Sequence, residues 1–142
     1  MLTKVFDCCL FSGQGDYRSM EEYLTMYVSR FRFEREIRPF MMAYRDWALY
    51  VVDTRGMSAS HKFENLTALA KLIRSYPART VAIWSLETWE DFKSLEPEAA
   101  YSRNCLFCDS PDWVEKLVKS LKIYQRKLKK YGLRGDNDGK KN

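Results

Sequence analysis

The sequence predicts a single domain of the α+β (or α/β) class, with a sheet of about five strands, helices packed on it and a long basic C-terminal helix. Three observations predict it. Short β-branched and aromatic runs alternate with segments whose apolar residues recur at spacings of 3 and 4. A length of 142 residues is one domain's worth of chain. Hydrophobic residues at 46% and aromatic residues at 15% supply a core built from large side chains, against 30% charged residues. The expected boundaries are a globular domain over 1–133 and a disordered polar tail over 134–142.

The first strand is expected over 1–11, with Val5, Cys9 and Phe11 on one side and Phe6, Cys8 and Leu10 on the other. Ser12-Gly13-Gln14-Gly15-Asp16 reads as a turn, because it lacks the spacing of a phosphate-cradling glycine loop. Ser19 with Glu22 three residues later has the form of a capping box. The helix it opens would carry Tyr23, Leu24, Tyr27 and Val28 on one face and end near Arg30. Residues 46–53 (Asp-Trp-Ala-Leu-Tyr-Val-Val-Asp) signal a strand, Thr54-Arg55-Gly56 a hairpin-like turn, and 57–63 the return strand. A helix from Glu64 or Asn65, with Leu66, Leu69, Ala70, Leu72 and Ile73 inward, stops before Pro77. A strand over 79–85 and a short helix over 87–95 follow, then a loop over 97–103 and a short strand over 104–108. The last helix starts at Ser110-Pro111. It carries Val114, Leu117, Leu121, Tyr124, Leu128 and Tyr131 on one stripe and ends at Gly132.

Charge is unevenly placed. Residues 112–142 hold ten bases against four acids, a net +6, and residues 1–111 carry −1, which together make the chain's +5. Such a block suits either a polyanion or ordinary solvation of an exposed helix face. Lys116, Lys119, Lys122, Arg126, Lys127 and Lys130 are the candidate nucleic-acid-binding residues. The Leu117-Leu121-Tyr124-Leu128-Tyr131 stripe reads as packing on the sheet, with pairing to a partner helix as the alternative.

Cys105 and Cys108 have the spacing of half a zinc site. On a strand, however, residues three apart face opposite ways, and Cys8 and Cys9 are adjacent. All four therefore read as buried reduced thiols, with no metal expected. His61 is the sole histidine and reads as a structural imidazole on a strand. No apolar run approaches the roughly 18–20 residues of a membrane span. Lys4 and Asp7 interrupt the N-terminal apolar stretch, so a cytoplasmic protein without a signal peptide or membrane partner is expected.

From about Tyr27 to Leu133 the order of elements resembles the N-terminal half of the archaeal and eukaryotic type of DNA primase small subunit. The residues that carry the likeness are Arg45-Asp46-Trp47-Ala48-Leu49 and Ser60-His61-Lys62-Phe63, then Pro77, Ser85 and Trp89. Phe107-Cys108-Asp109-Ser110 and a helix ending in Tyr131-Gly132-Leu133 complete it. The resemblance implies a replication-associated domain whose partner is nucleic acid or a replication protein. The family's Phe-Asp-x-Asp strand motif places two carboxylates on one metal pair. Here those positions are Cys108 and Ser110, and the nearby acids Asp109 and Asp112 are three apart. Asp109 and Asp112 are thus the only catalytic candidates, with Mg²⁺ or Mn²⁺ as the cofactor if they act. Capping of the last helix is their ordinary role, and a non-catalytic domain is the expectation.

Overall fold

The computed structural model describes residues 7–14, 17–35, 47–109 and 112–131; for 128–131 it describes the backbone only. The elements, in chain order, are β1 (Asp7–Ser12), α1 (Arg18–Leu24), β2 (Arg30–Glu34), β3 (Leu49–Asp53), α2 (Ala59–Ser75), β4 (Thr80–Ile83), α3 (Leu86–Leu95), the single turn α4 (Pro97–Ala100), β5 (Cys105–Phe107) and α5 (Trp113–Tyr131).

The five strands form one sheet in the order β2-β1-β3-β4-β5, and every pairing is parallel. This is the α/β arm of the expected class. Parallel strands need crossovers, and the crossovers place helices on both faces of the sheet. The alternation along each strand divides the interior in two. Cys9, Phe11, Tyr50, Val52, Val81 and Ile83 pack under α2, α3 and α4 through Leu66, Leu69, Ile73, Phe92 and Ala99. Cys8, Leu10, Leu49, Val51, Ala82 and Leu106 pack under α1 and α5 through Met20, Leu24, Trp113, Leu117, Leu121 and Tyr124. Burial on both faces explains why β1, β3 and β4 read as near-continuous apolar runs.

Five strands were expected and five are present, but one differs in identity. Residues 57–63 are not a return strand. Ser58 caps α2, its hydroxyl accepting the backbone N–H of His61 at 3.2 Å, and the helix begins at Ala59. Thr54-Arg55-Gly56 suits a hairpin and a strand-to-helix turn equally well. The helix prevails because β3 is walled by β1 and β4 and leaves no edge for an antiparallel partner. The missing strand is β2, Arg-Phe-Arg-Phe-Glu, whose strict alternation fits a strand and whose residues, all exposed or half-buried, fit its place at the sheet edge. The helix before it is correspondingly short. α1 is preceded by Tyr17 with no side-chain cap, so Ser19 lies inside its first turn instead of capping it. The segment expected as a loop over 97–103 contains α4.

The stripe on α5 packs inward: Leu117 and Leu121 are fully buried and Tyr124 is 4% exposed. The alternative of a partner helix on that face is thereby closed for Leu117, Leu121 and Tyr124. The side chains of Leu128 and Tyr131, the helix end at Gly132 and the tail over 134–142 lie outside the described residues. No helix among the described residues is long and apolar enough to cross a membrane.

Candidate functional site at the carboxyl ends of the central strands

All strand carboxyl ends lie along one rim, and the chain reverses direction of travel across the sheet between β1 and β3. In open α/β sheets the crevice outside that reversal is where ligands bind. Two glycines let the loops there close up. Gly13 donates its N–H to the Asp53 carbonyl at 3.0 Å. A Cβ on Gly13 would lie 2.6 Å from the Arg55 carbonyl oxygen, so only glycine fits. Gly56, at φ +90°, turns the chain out of β3 toward α2.

Ser12 and Asp53 are register partners at this point. The Ser12 hydroxyl is buried and has no hydrogen-bond partner among the described residues. Asp53 ends a strand in which every residue is buried, and its side chain is 3% exposed. Its Oδ1 accepts the Arg55 backbone N–H and Nε–H, both at 3.1 Å, and lies 3.1 Å from Ser85 Oγ and 3.3 Å from Thr88 Oγ1. Its Oδ2 accepts from Arg55 Nε at 3.1 Å and Nη2 at 2.8 Å. A carboxylate offers about four lone-pair sites, and these donors occupy them.

The donors are themselves held. Ser85 caps α3, accepting the Thr88 backbone N–H at 3.2 Å. Thr88 Oγ1 lies 2.7 Å from Ser85 Oγ and accepts the Thr54 N–H at 2.9 Å. The network therefore ties the loop after β3 to the loop after β4. Beside it is a cleft of about 280 Å³ lined by Tyr23, Arg55, Trp84, Ser85, Leu86, Cys108 and Asp109. Tyr23 braces it, with Trp84 edge-on at 5.7 Å and the Trp113 indole N–H donating to its hydroxyl at 3.3 Å.

The structure separates the residues singled out in the sequence. Asp109 lies exposed on the wall of this cleft. Asp112 stands before α5, where its carbonyl accepts the Lys116 N–H and its carboxylate pairs with the Lys116 ammonium at 3.6 Å. Ser110 and Pro111 between them lie outside the described residues. Lys116, Lys119 and Lys127 line a second, larger cleft on the flank of the sheet. Lys122 and Arg126 are exposed on α5, and the Lys130 side chain is not described. His61 is exposed in the first turn of α2, not on a strand. All four cysteines are buried free thiols. Burial pushes Cys9 and Cys105 up to about 12 and raises Cys8 and Cys108 as well. These thiols stay protonated and poorly nucleophilic. Among the described residues no three of His, Cys, Asp and Glu gather as a metal site.

Sequence reasoning passed over Asp53, Arg55, Ser85 and Thr88 as site residues. The available signal was a polar residue closing each of two apolar runs, Asp53 after Leu-Tyr-Val-Val and Ser85 after Val-Ala-Ile-Trp. Only the parallel pairing of β3 with β4 brings those two ends together.

No protein-family model matches the sequence, and no curated protein matches it. Two solved structures share the fold. One is the signal receiver domain of an HD domain-containing protein from Pseudomonas fluorescens Pf-5. Its TM-score is 0.61 at 15% identity, over 91% of this chain and 96% of that one. The other is an uncharacterized protein from Neptuniibacter caesariensis, with a TM-score of 0.59 at 18% identity, over 92% of this chain and 96% of that one. These matches overturn the resemblance to a primase small subunit and the nucleic-acid-binding, replication-associated role that it implied. The physical reason lies in the elements that carried the likeness. Ser60-His61-Lys62-Phe63 belongs to a helix, not to the second arm of a hairpin. Arg45-Asp46 lies outside the described residues. What remained was a generic alternation of strands and helices.

Proposed function

We propose that the chain is a receiver-like signalling module whose central carboxylate serves as a structural latch and not as an acceptor of phosphoryl groups. Support for the signalling part comes from the fold likeness over nine-tenths of the chain to a signal receiver domain. Support for the latch comes from one observation, the saturation of Asp53 by Arg55, Ser85 and Thr88. A carboxylate at the mouth of a parallel sheet is in principle a nucleophile that could form an acyl phosphate. Here its lone pairs point at the Arg55 guanidinium and two hydroxyls, and the bidentate ion pair covers the approach. The guanidinium supplies the compensating positive charge within the chain, so both loops are held in one arrangement without an added cation.

The test is incubation of the protein with acetyl phosphate and Mg²⁺, followed by intact-mass measurement and a ¹H–¹⁵N correlation spectrum. The latch predicts an unchanged mass and unchanged amide positions for Asp53, Arg55, Ser85 and Thr88. A phosphoryl group mapped to Asp53 would overturn it.

A further inference from the structure

Tyr23 and Trp84 both line the smaller cleft, and their rings meet at 89° with 5.7 Å between centres. Rings at right angles make a corner, and a group seated in it faces both π systems. Tyr23 is held in place by Trp113, whose ring lies 5.2 Å away and whose indole N–H donates to the Tyr23 hydroxyl at 3.3 Å. The corner is therefore built before any ligand arrives. It is also open to solvent, since Tyr23 and the neighbouring Leu86 are both exposed.

The charges on the walls select the ligand. Arg55 directs its Nε–H and Nη2–H at Asp53, so its charge is matched within the chain. The Cys108 thiol is raised by burial and brings no charge. Asp109 is exposed and makes no hydrogen bond or ion pair among the described residues. An anion would have to compete with Asp53 for the guanidinium and would face Asp109. A bare divalent ion would find one such carboxylate beside aromatic rings, which poorly replace its hydration shell. An alkylated ammonium ion suits the walls better. Its alkyl groups fit an apolar corner, and its charge is attracted by ring faces and by the carboxylate. The cleft's volume of about 280 Å³ lies just below the range of pockets for drug-sized ligands, about 300–1,000 Å³, so the ligand is small.

We infer that the cleft binds a small quaternary or alkylated ammonium ion, its cationic head seated between Tyr23 and Trp84 and balanced by Asp109. The inference uses the Asp53–Arg55 ion pair but does not rest on the signalling role, and its test is independent of phosphoryl transfer.

The probe is choline, titrated against the protein and followed in ¹H–¹⁵N spectra. Saturable shifts are expected at the Trp84 indole and at the amides of Leu86 and Asp109, with about millimolar affinity, a modest demand for about seven non-hydrogen atoms. The uncharged isostere 3,3-dimethylbutanol should bind about tenfold more weakly. Asp109→Asn should weaken choline severalfold with an unchanged melting temperature, since the side chain is exposed. Tyr23→Leu should weaken it about fivefold or more, whereas Tyr23→Phe, which keeps the ring, should retain most of the affinity. Tetramethylammonium should displace choline, and Mg²⁺ at equal ionic strength should not. Absence of saturation at tens of millimolar choline, shifts confined to another surface, equal binding of the isostere, displacement by Mg²⁺, or unchanged affinity in both Asp109→Asn and Tyr23→Leu would each overturn the inference. An unphosphorylated Asp53 together with no choline binding would leave the latch standing and remove this site alone.

Discussion

Replacing Asp53 by alanine removes the one group that Arg55, Ser85 and Thr88 share. The Ser85 and Thr88 hydroxyls are buried, and they keep each other at 2.7 Å and Thr54 at 3.1 Å, so neither is wholly orphaned. Each still loses an ionised acceptor, at about 1 kcal/mol apiece. Arg55 loses both carboxylate oxygens, but its side chain is 40% exposed and water replaces much of what is lost. Its share is therefore near that of a surface pair, about 1 kcal/mol or less. The expected destabilisation is about 3 kcal/mol, which lowers the melting temperature by roughly 10 °C for a domain of this length. Urea unfolding followed by tryptophan fluorescence measures it directly, since Trp84 lines the adjoining cleft. A double-mutant cycle with Arg55→Met isolates the ion pair, with a coupling of about 1 kcal/mol expected. A loss below about 0.5 kcal/mol for Asp53→Ala, together with zero coupling, would refute the idea that this carboxylate organises the two loops.

Three further outcomes are expected. Gly13→Ala drives a Cβ into the Arg55 carbonyl at 2.6 Å, a backbone atom that cannot swing away; a loss of about 1–3 kcal/mol in denaturant unfolding is expected, with near-neutral behaviour contradicting the close approach. Leu121→Asp puts a charge at a fully buried position under the sheet; circular dichroism should show a lost or greatly lowered cooperative melt, whereas a folded protein with only its self-association changed would place that side chain at an interface instead. The thiols Cys9 and Cys105 bind protons more tightly folded than unfolded, since burial raises them to about 12 from the ordinary 9; their stabilisation is complete below pH 9 and is lost as pH climbs toward 12, at up to about 1.4 kcal/mol per pH unit for each. Urea midpoints at pH 8 and pH 10.5 check this, and Cys9→Ala combined with Cys105→Ala should make the alkaline fall less steep, the buried thiols Cys8 and Cys108 sustaining the remainder.

Several elements were legible because their signals are local. The inner face of α2, the stripe of α5 as far as Tyr124 and the strand expected over 46–53, observed as Leu49–Asp53, each carry their own period or apolar run and sit where those patterns put them. The turn after Asp53 was not legible, because Gly56 at positive φ serves a hairpin or a strand-to-helix connection alike. Arg-Phe-Arg-Phe-Glu was not legible as a strand because its alternation is only five residues long and runs on into the charged residues Arg35, Glu36 and Arg38.

The sequence by itself determined the class of fold, the inward packing of the last helix as far as Tyr124 and the concentration of positive charge in that helix. These follow from periodicity and composition, which neighbouring residues carry. Only the tertiary structure decided that the strands are all parallel in the order β2-β1-β3-β4-β5, and that Asp53 meets Ser85 and Thr88 more than thirty residues away. It also decided that the lysines of α5 share a cleft with the aromatic groups of α3 and β5. Such pairings depend on which strand ends lie side by side, and that is set by burying both faces of the whole sheet at once.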